Sequence, residues 1–266
     1  MTVEWLSFGS DWLILGAAAF FAGMVDAVVG GGGLIQIPVL LSQFPQTAIP
    51  TLFGTNKVAS IVGTSSAMWR YGRAVTIPWR IVAPATAAAL VGAWMGAALV
   101  AWLPRDWMRP LVLVLMVAAA LYTFHNKDFG HVETHAPRPS DPWMGALVGL
   151  VIGLYDGFFG PGTGSFLLFA FVRLFGMDFL RATAGAKVVN VATNLSAIGF
   201  FATSGPVLWA VGLGMAACNL AGAQVGTRMA LRNGSGFIRK VFLVVVVVLI
   251  GKLALDVARP WLPGLL

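Results

Sequence analysis

Two lysines lie inside long apolar stretches of this sequence, where a charged side chain is costly. Lys57 and Lys187 each follow about five residues of their apolar segment. A lysine at the centre of a membrane helix costs roughly 2.5–3.5 kcal/mol on insertion scales, so it is a functional candidate by default. Snorkelling of the ammonium to the headgroups is the alternative. Polar residues deeper in each segment favour an inward-facing role in substrate binding.

Those polar residues follow each lysine at helical spacing. In the second half of the chain the stripe consists of Lys187, Asn190 and Asn194. The matching residues, 130 positions earlier, are Lys57, Ser60 and Thr64. Spacings of i, i+3 and i+7 place side chains on one helical face. We therefore predict two polar faces that line a binding site.

A glycine-rich bend precedes each stripe. The first bend is Gly30, Gly31, Gly32 and Gly33, and the second is Gly160, Pro161, Gly162, Thr163, Gly164 and Ser165. Each glycine costs about 1 kcal/mol relative to alanine in a helix. Non-helical backbone at membrane depth is tolerated where it is buried in protein or lines a wet cavity. Broken helix ends suit an anion; close helix packing through small residues is the alternative.

An aspartate precedes each bend by four residues, Asp26 in the first half and Asp156 in the second. Three roles are open for them: coupling transport to protons, pairing with a lysine, or capping a broken helix.

The composition indicates the surroundings of these residues. Of 266 residues, 58% are hydrophobic and 10% are charged, and the mean hydropathy is +0.85. Soluble globular proteins carry about 25% charged residues. The net charge of +7 falls mostly in short loops, which is typical of membrane topology rather than of nucleic-acid binding. The single cysteine, Cys218, excludes a disulfide within the chain. We predict an all-α integral membrane protein.

The two halves repeat each other without a gap. Subtracting 130 pairs Asp156 with Asp26, Lys187 with Lys57, and Trp209 with Trp79, which indicates a duplication. The first copy (residues 1–125) has apolar segments at Trp12–Val25, Val28–Leu41, Leu52–Trp69, Ile81–Leu103 and Leu111–Phe124. The second copy (residues 143–266) has them at Met144–Leu154, Phe158–Leu174, Ala182–Phe201, Val207–Met229 and Val241–Ala258. The first two segments of each copy form a re-entrant hairpin or two short crossings.

Loop charges predict that the copies are inverted relative to each other. Arg70–Arg80 is basic, whereas the equivalent Thr203–Pro206 has no charge. Arg173–Arg181 is basic, whereas the equivalent Ser42–Pro50 has none. Under the positive-inside rule, equivalent loops lie on opposite sides, as in many secondary transporters. Both termini then lie outside, and the linker (residues 126–142) is cytoplasmic. Its histidines (His125, at its edge, His131 and His135) are interpreted as solvated, and no metal site is expected.

Four segments resemble the TauE/SafE family of sulfite exporters. They read GMVDAVVGGGGLIQIPVLL, GTNKVAS, GLYDGFFGPGTGSF and GAKVVNVATNLSA. Members of that family are polytopic membrane transporters, several of them linked to sulfite, sulfonates and related organic anions. The resemblance implies that the substrate-lining positions are Gly30 to Gly33, Asn56, Lys57, Gly160 to Ser165, Lys187 and Asn190.

Together these patterns predict a secondary transporter of small sulfur-containing organic anions or oxyanions, such as sulfite or sulfoacetate, that works by alternating access. Proton coupling is one option. We expect a bacterial plasma membrane protein without a cofactor or enzyme chemistry, because no nucleotide-binding or nucleophile–base motif occurs. An anion channel and a non-transporting assembly subunit are the alternatives, and a homo-oligomer is left open.

Cysteine labelling tests the inverted topology. Cysteines placed one at a time at Arg73 and Ser204, each as the only cysteine, should react with an impermeant thiol reagent from opposite sides of the membrane. Labelling of both positions from the same side would rule out the inversion.

Overall fold

The computed structural model describes residues 10–102, 114 and 138–258 and contains only helices there. In these residues the α-helices are α1 (Ser10–Val29), α2 (Gly33–Gln43), α3 (Ile49–Ala74), α4 (Trp79–Trp102), α5 (Asp141–Phe158), α6 (Thr163–Phe175), α7 (Phe179–Ser204) and α8 (Trp209–Ala258). The all-helical class predicted from the sequence is therefore confirmed. Residues Leu111–Phe124, apart from position 114, lie outside the described residues, as do His125, His131 and His135.

The helix bounds repeat with the same offset as the sequence. α2, α3 and α4 begin at Gly33, Ile49 and Trp79, and α6, α7 and α8 begin 130 residues later. The local signals at equivalent starts differ. α3 has a proline in its first turn, whereas the carboxylate of Asp178 accepts hydrogen bonds from the first N–H groups of α7. Different local chemistry thus produces the same break.

The second segments begin later than the apolar pattern predicted. The apolar runs start at Val28 and Phe158, but α2 and α6 start five residues further on. Hydropathy does not register backbone conformation, and Gly30 and Gly160 have φ angles of 82° and 96°. Such positive values end a helix and favour glycine. α2, with 11 residues, and α6, with 13, are each too short to cross a hydrocarbon core of about 30 Å alone.

One glycine also separates the last two segments of the second copy. The helical residues Trp209–Ala258 are interrupted at Gly234, which has a φ of 70° and a ψ of −167°. The predicted segments Val207–Met229 and Val241–Ala258 therefore lie on either side of this kink.

The helices exchange partners between the copies. α1 packs against α8, and Phe20 and Met24 lie against Gly222 and Gly226. The residue numbers of the contacting residues increase in the same direction along both helices, so α1 and α8 run parallel. α4 and α5 pack in the same parallel way, through glycines of both helices. Each copy therefore builds its longest helix contact with the other copy.

The central helices α3 and α7 run in opposite directions. Gly54 lies against Phe201 near one end of their contact. Further along, Thr64 and Lys187 both bind the same carboxylate oxygen of Asp26. Since the number rises in α3 while it falls in α7, these equivalent helices are antiparallel.

The described helices have apolar outer faces and enclose buried charged side chains. Residues Asp11–Val29 and Trp79–Val100 are long and apolar enough to cross a membrane by length and composition. Lys57, Asp156 and Lys187 are buried, the reverse of the usual distribution in soluble proteins. Large apolar side chains are exposed at Leu13, Phe21, Trp94, Leu99, Trp143, Val151 and Leu213. This arrangement fits lipid surroundings.

Alanine substitution tests the close contact of α4 with α5. A Cβ at Gly157 would lie 1.9 Å from the carbonyl oxygen of Ala93, so Gly157→Ala should force the helices apart. Overpacking costs roughly 1–3 kcal/mol, and we expect a lower unfolding temperature in detergent. Gly205→Ala is the control, because no atom lies within 4 Å of a Cβ there. Equal unfolding temperatures for both variants would contradict this packing.

Candidate functional site

The two glycine bends touch each other at the centre of the molecule. A Cβ on Gly30 would lie 2.3 Å from the Cα of Gly164, so the backbones meet where no side chain fits. The Ser165 hydroxyl donates a hydrogen bond of 2.8 Å to the carbonyl oxygen of Val29. The end of α1 and the start of α6 are thereby held together. In the first turns of α2 and α6, some N–H groups donate to carbonyl oxygens of the bends, and the others have no acceptor within their own helix.

A buried ion pair joins α3 to α5. The ammonium of Lys57 lies 2.7 Å from Oδ2 of Asp156, and the two side chains are only 4% and 2% exposed. The angle of that contact is poor for a hydrogen bond, so Oδ2 has charge contact but lacks a donor. Oδ1 accepts a hydrogen bond of 2.6 Å from the Thr163 hydroxyl. A Cβ on Gly160 would lie 3.0 Å from the ammonium, so glycine leaves room for the lysine.

A second ion pair joins α7 to α1. The ammonium of Lys187 lies 2.9 Å from Oδ2 of Asp26, and here the geometry is that of a hydrogen bond. The ammonium also donates to the backbone carbonyl of Asp26. The Thr64 hydroxyl donates to the same carboxylate oxygen at 3.2 Å.

These crossed ion pairs (Lys57–Asp156 and Lys187–Asp26) connect the two copies reciprocally. Each lysine is paired with the aspartate of the other copy, and the formal charges of the four groups cancel. Snorkelling is wrong for both lysines, since both lysine side chains are buried and their ammoniums contact carboxylates of neighbouring helices. Of the roles open for the aspartates, pairing with a lysine is present. Helices α2 and α6 have no side-chain hydrogen bond at their N-caps, which are both described residues.

The remaining residues of the two stripes face the same interior. The amide of Asn194 donates a hydrogen bond of 3.0 Å to Oδ1 of Asn190. Ser60 donates to Oε1 of Gln36 at 2.9 Å, and its carbonyl accepts from the Thr64 hydroxyl. Asn56 is 5% exposed, and its Oδ1 has no hydrogen-bond donor. Of the other predicted bend positions, Gly31, Gly32 and Gly162 lie in the two breaks, whereas Gly33 is the first residue of α2.

Gln36 was missed by the sequence predictions. Its side chain is fully buried on α2 and contacts Ser60 of the predicted stripe. The available signal was a lone amide in the apolar run from Leu34 to Leu41. Charged residues in the membrane segments were interpreted as functional candidates, whereas buried amides were not.

Among the described residues, no group of three or more His, Cys, Asp or Glu side chains is placed to hold a metal ion. The buried charged side chains of the described structure, Lys57, Asp156 and Lys187, all belong to the crossed ion pairs.

Comparison with known proteins identifies the family. The family model described as "Sulfite exporter TauE/SafE" matches residues 15–253, which includes both bends, both lysines and both aspartates. The chain belongs to the TauE/SafE family. As a member of this family, with apolar helices around buried charged groups, it is an integral membrane protein and a membrane transporter.

Relatives of this TauE/SafE chain carry transporter names. It is 38% identical to "Probable membrane transporter protein ORF9" of a Sinorhizobium species, over 91% of this chain and 92% of the relative. It is 33% identical to "Probable membrane transporter protein YfcA" of Escherichia coli strain K12, over 92% and 91%. It is 34% identical to a "Probable membrane transporter protein" of Haemophilus influenzae, over 94% and 98%. No solved structure shows significant similarity to the chain.

Removing one member of a crossed ion pair tests its electrostatic balance. Lys57→Met should lower the unfolding temperature in detergent, because an unpaired buried charge costs about 3–5 kcal/mol. The double variant Lys57→Met, Asp156→Asn should recover most of that loss. Arg181→Met is the control, since the Arg181–Asp178 pair is about half exposed, at 58% and 45%, and contributes roughly 0–1 kcal/mol. A double variant no more stable than Lys57→Met would contradict the pairing.

Proposed function

We propose that this protein is a secondary transporter of small sulfur-containing oxyanions and organic anions, such as sulfite and sulfoacetate, and that it works by alternating access. The proposal rests on the two crossed ion pairs, which lie where the two glycine bends meet. Two buried ammonium groups lie beside broken helix ends, which is the donor set that an oxyanion requires. The family name supports sulfite and its relatives as the class of substrate.

The substrate anion binds in place of a carboxylate. A sulfite or sulfonate group presents oxygens that accept hydrogen bonds from an ammonium, as a carboxylate does. Lys57 and Lys187 are held by Asp156 and Asp26. An incoming oxyanion competes for one of these ammoniums and frees the aspartate of the other copy. Binding therefore changes a link between the copies rather than only filling a cavity.

That link provides the alternating step. Since each pair joins one copy to the other, the two pairs together hold the copies at two places in their contact. Exchange of a carboxylate for an anion at one pair releases the copies there and leaves the other pair closed. Equivalent residues then perform the same step for the two faces of the membrane, as expected for repeats that rock around a shared site.

Inverted topology is part of this proposal, and the helix directions support it. α1, α3 and α8 run parallel to one another, as shown by contacts such as Val58 with Gly212. α7 is antiparallel to α3 and parallel to α4, which it contacts through Gly199 and Trp94. With these directions, the basic residues near the helix ends share one side. They are Arg70, Arg73, Arg80, Arg138, Arg173, Arg181, Arg228 and Arg232. The positive-inside rule makes that side cytoplasmic, with the termini outside and the plasma membrane of a bacterium as the location.

Charge balance favours movement of a proton with the anion. The formal charges of the four groups sum to zero, so a bound monovalent anion, such as hydrogen sulfite, leaves one net negative charge in a buried place. Burial of an unbalanced charge is costly, and a buried group tends to neutralise instead. A proton on the freed carboxylate of Asp26 or Asp156 restores neutrality. The aspartates thereby couple transport to protons in addition to pairing with lysines.

Exchange in proteoliposomes tests the function. Vesicles preloaded with sulfite should take up labelled sulfite faster than empty vesicles, because a carrier returns loaded. Lys57→Met and Lys187→Met should each lower the exchange by at least about tenfold, the effect of losing a hydrogen bond to a charged group. Arg181→Met, outside the crossed pairs, should exchange like the wild type.

Other results identify the alternatives. Flux that follows voltage without saturation or trans-stimulation would indicate an anion channel. Absence of flux and of thermal stabilisation by sulfite, sulfoacetate, taurine and thiosulfate, relative to acetate, would indicate a non-transporting subunit. Normal exchange by both lysine variants would remove the crossed ion pairs from the mechanism.

A further inference from the structure

Gln36, a buried residue of α2, contacts α3 at a position between the two crossed ion pairs. Ser60, which contacts the Gln36 side chain at 2.9 Å, stands one turn after Lys57 and one turn before Thr64. Lys57 belongs to the first ion pair, and Thr64 donates a hydrogen bond to the Asp26 carboxylate of the second. Gln36 therefore meets α3 in the interval between the two ammonium groups.

The amide of Gln36 has a free donor end. The Ser60 hydroxyl donates to Oε1, whereas Nε2 is buried and has no hydrogen-bond acceptor. Gln36 is 0% exposed. Burial of an unsatisfied donor costs about 1–3 kcal/mol, so the presence of this unpaired N–H group in the native structure requires an explanation. A bound anion would supply the missing acceptor.

Only the first copy has this donor. The position equivalent to Gln36 is Phe166, whose ring packs edge-on against Tyr155 with 5.1 Å between the centroids. The residue equivalent to Ser60 is Asn190, whose Oδ1 accepts a hydrogen bond from Asn194 of its own helix. The two halves of the site therefore match in charge and differ in their neutral polar groups.

We propose that the Nε2 group of Gln36 donates a hydrogen bond to an oxygen of the bound anion, which makes Gln36 a specificity-determining residue of the first copy. This inference rests on the proposed anion transport. Ser60 holds the amide with its donor end free. A ligand that presents several acceptor oxygens, such as sulfite or a sulfonate, can bind an ammonium and this amide together. An anion with fewer oxygens gains less from the second contact.

Replacement by methionine tests the donor with little change of shape. Gln36→Met should weaken sulfite and sulfoacetate binding roughly ten- to hundredfold, as measured by concentration-dependent thermal shift of the purified protein. Its unfolding temperature without ligand should equal or exceed that of the wild type, because an unsatisfied buried donor is removed. Gln43→Met, the same change at the other end of α2, is the matched control and should bind like the wild type.

The outcomes separate this inference from the proposed function. If wild type binds sulfite and Gln36→Met binds it equally well, the role of Gln36 is wrong and anion transport stands. If Gln36→Met loses ligand-free stability and keeps its affinity, the glutamine is structural and the inference is also overturned. If the wild type binds neither sulfite nor sulfoacetate, both proposals fail. Gln36→Leu repeats the test should the methionine variant not fold, and weaker binding with intact stability supports the donor role.

Discussion

Desolvation of four charged groups is the constraint on which the rest of this structure depends. Taking one carboxylate or ammonium out of water costs several kcal/mol, and a partner must recover that energy. The crossed ion pairs meet this requirement only if α1 reaches α7 and α3 reaches α5. Helix breaks, close backbone contacts and the exchange of partners between the copies all serve that placement. A chain that failed in any of them would leave a charge without a counterion in an apolar interior.

Small residues make the placement possible. α1 carries Asp26 and lies in glycine-mediated contact with α8, so the aspartate of the first copy is embedded among helices of the second. α5 carries Asp156 and lies against α4 of the first copy in the same way. The ion pairs cross for this reason. In a membrane, lipid is as apolar as leucine, so the hydrophobic effect does not drive helices together. Close van der Waals packing through small residues stabilises their association instead.

The sequence predicted the helices, the duplication and the charged residues of the site, because these depend on composition and spacing. It did not predict where α2 and α6 begin. The break before α2 is a positive φ angle at Gly30, and hydropathy does not report backbone angles. It left the partner of each lysine open, because pairing across copies depends on how the helices exchange neighbours. Gln36 was not predicted, because what distinguishes it is the unpaired Nε2 atom, and pairing depends on the three-dimensional contacts.

The reciprocity of the ion pairs has a consequence for the history of the chain. In this structure neither copy pairs its own aspartate with its own lysine, and each charge is satisfied by the other copy. Under the proposed inverted topology, two such units satisfy both charges by symmetry, as a homodimer inserted in both directions would. Fusion into one chain frees each half to change separately. The glutamine opposite a phenylalanine is such a divergence, and it lies beside charges that remain shared.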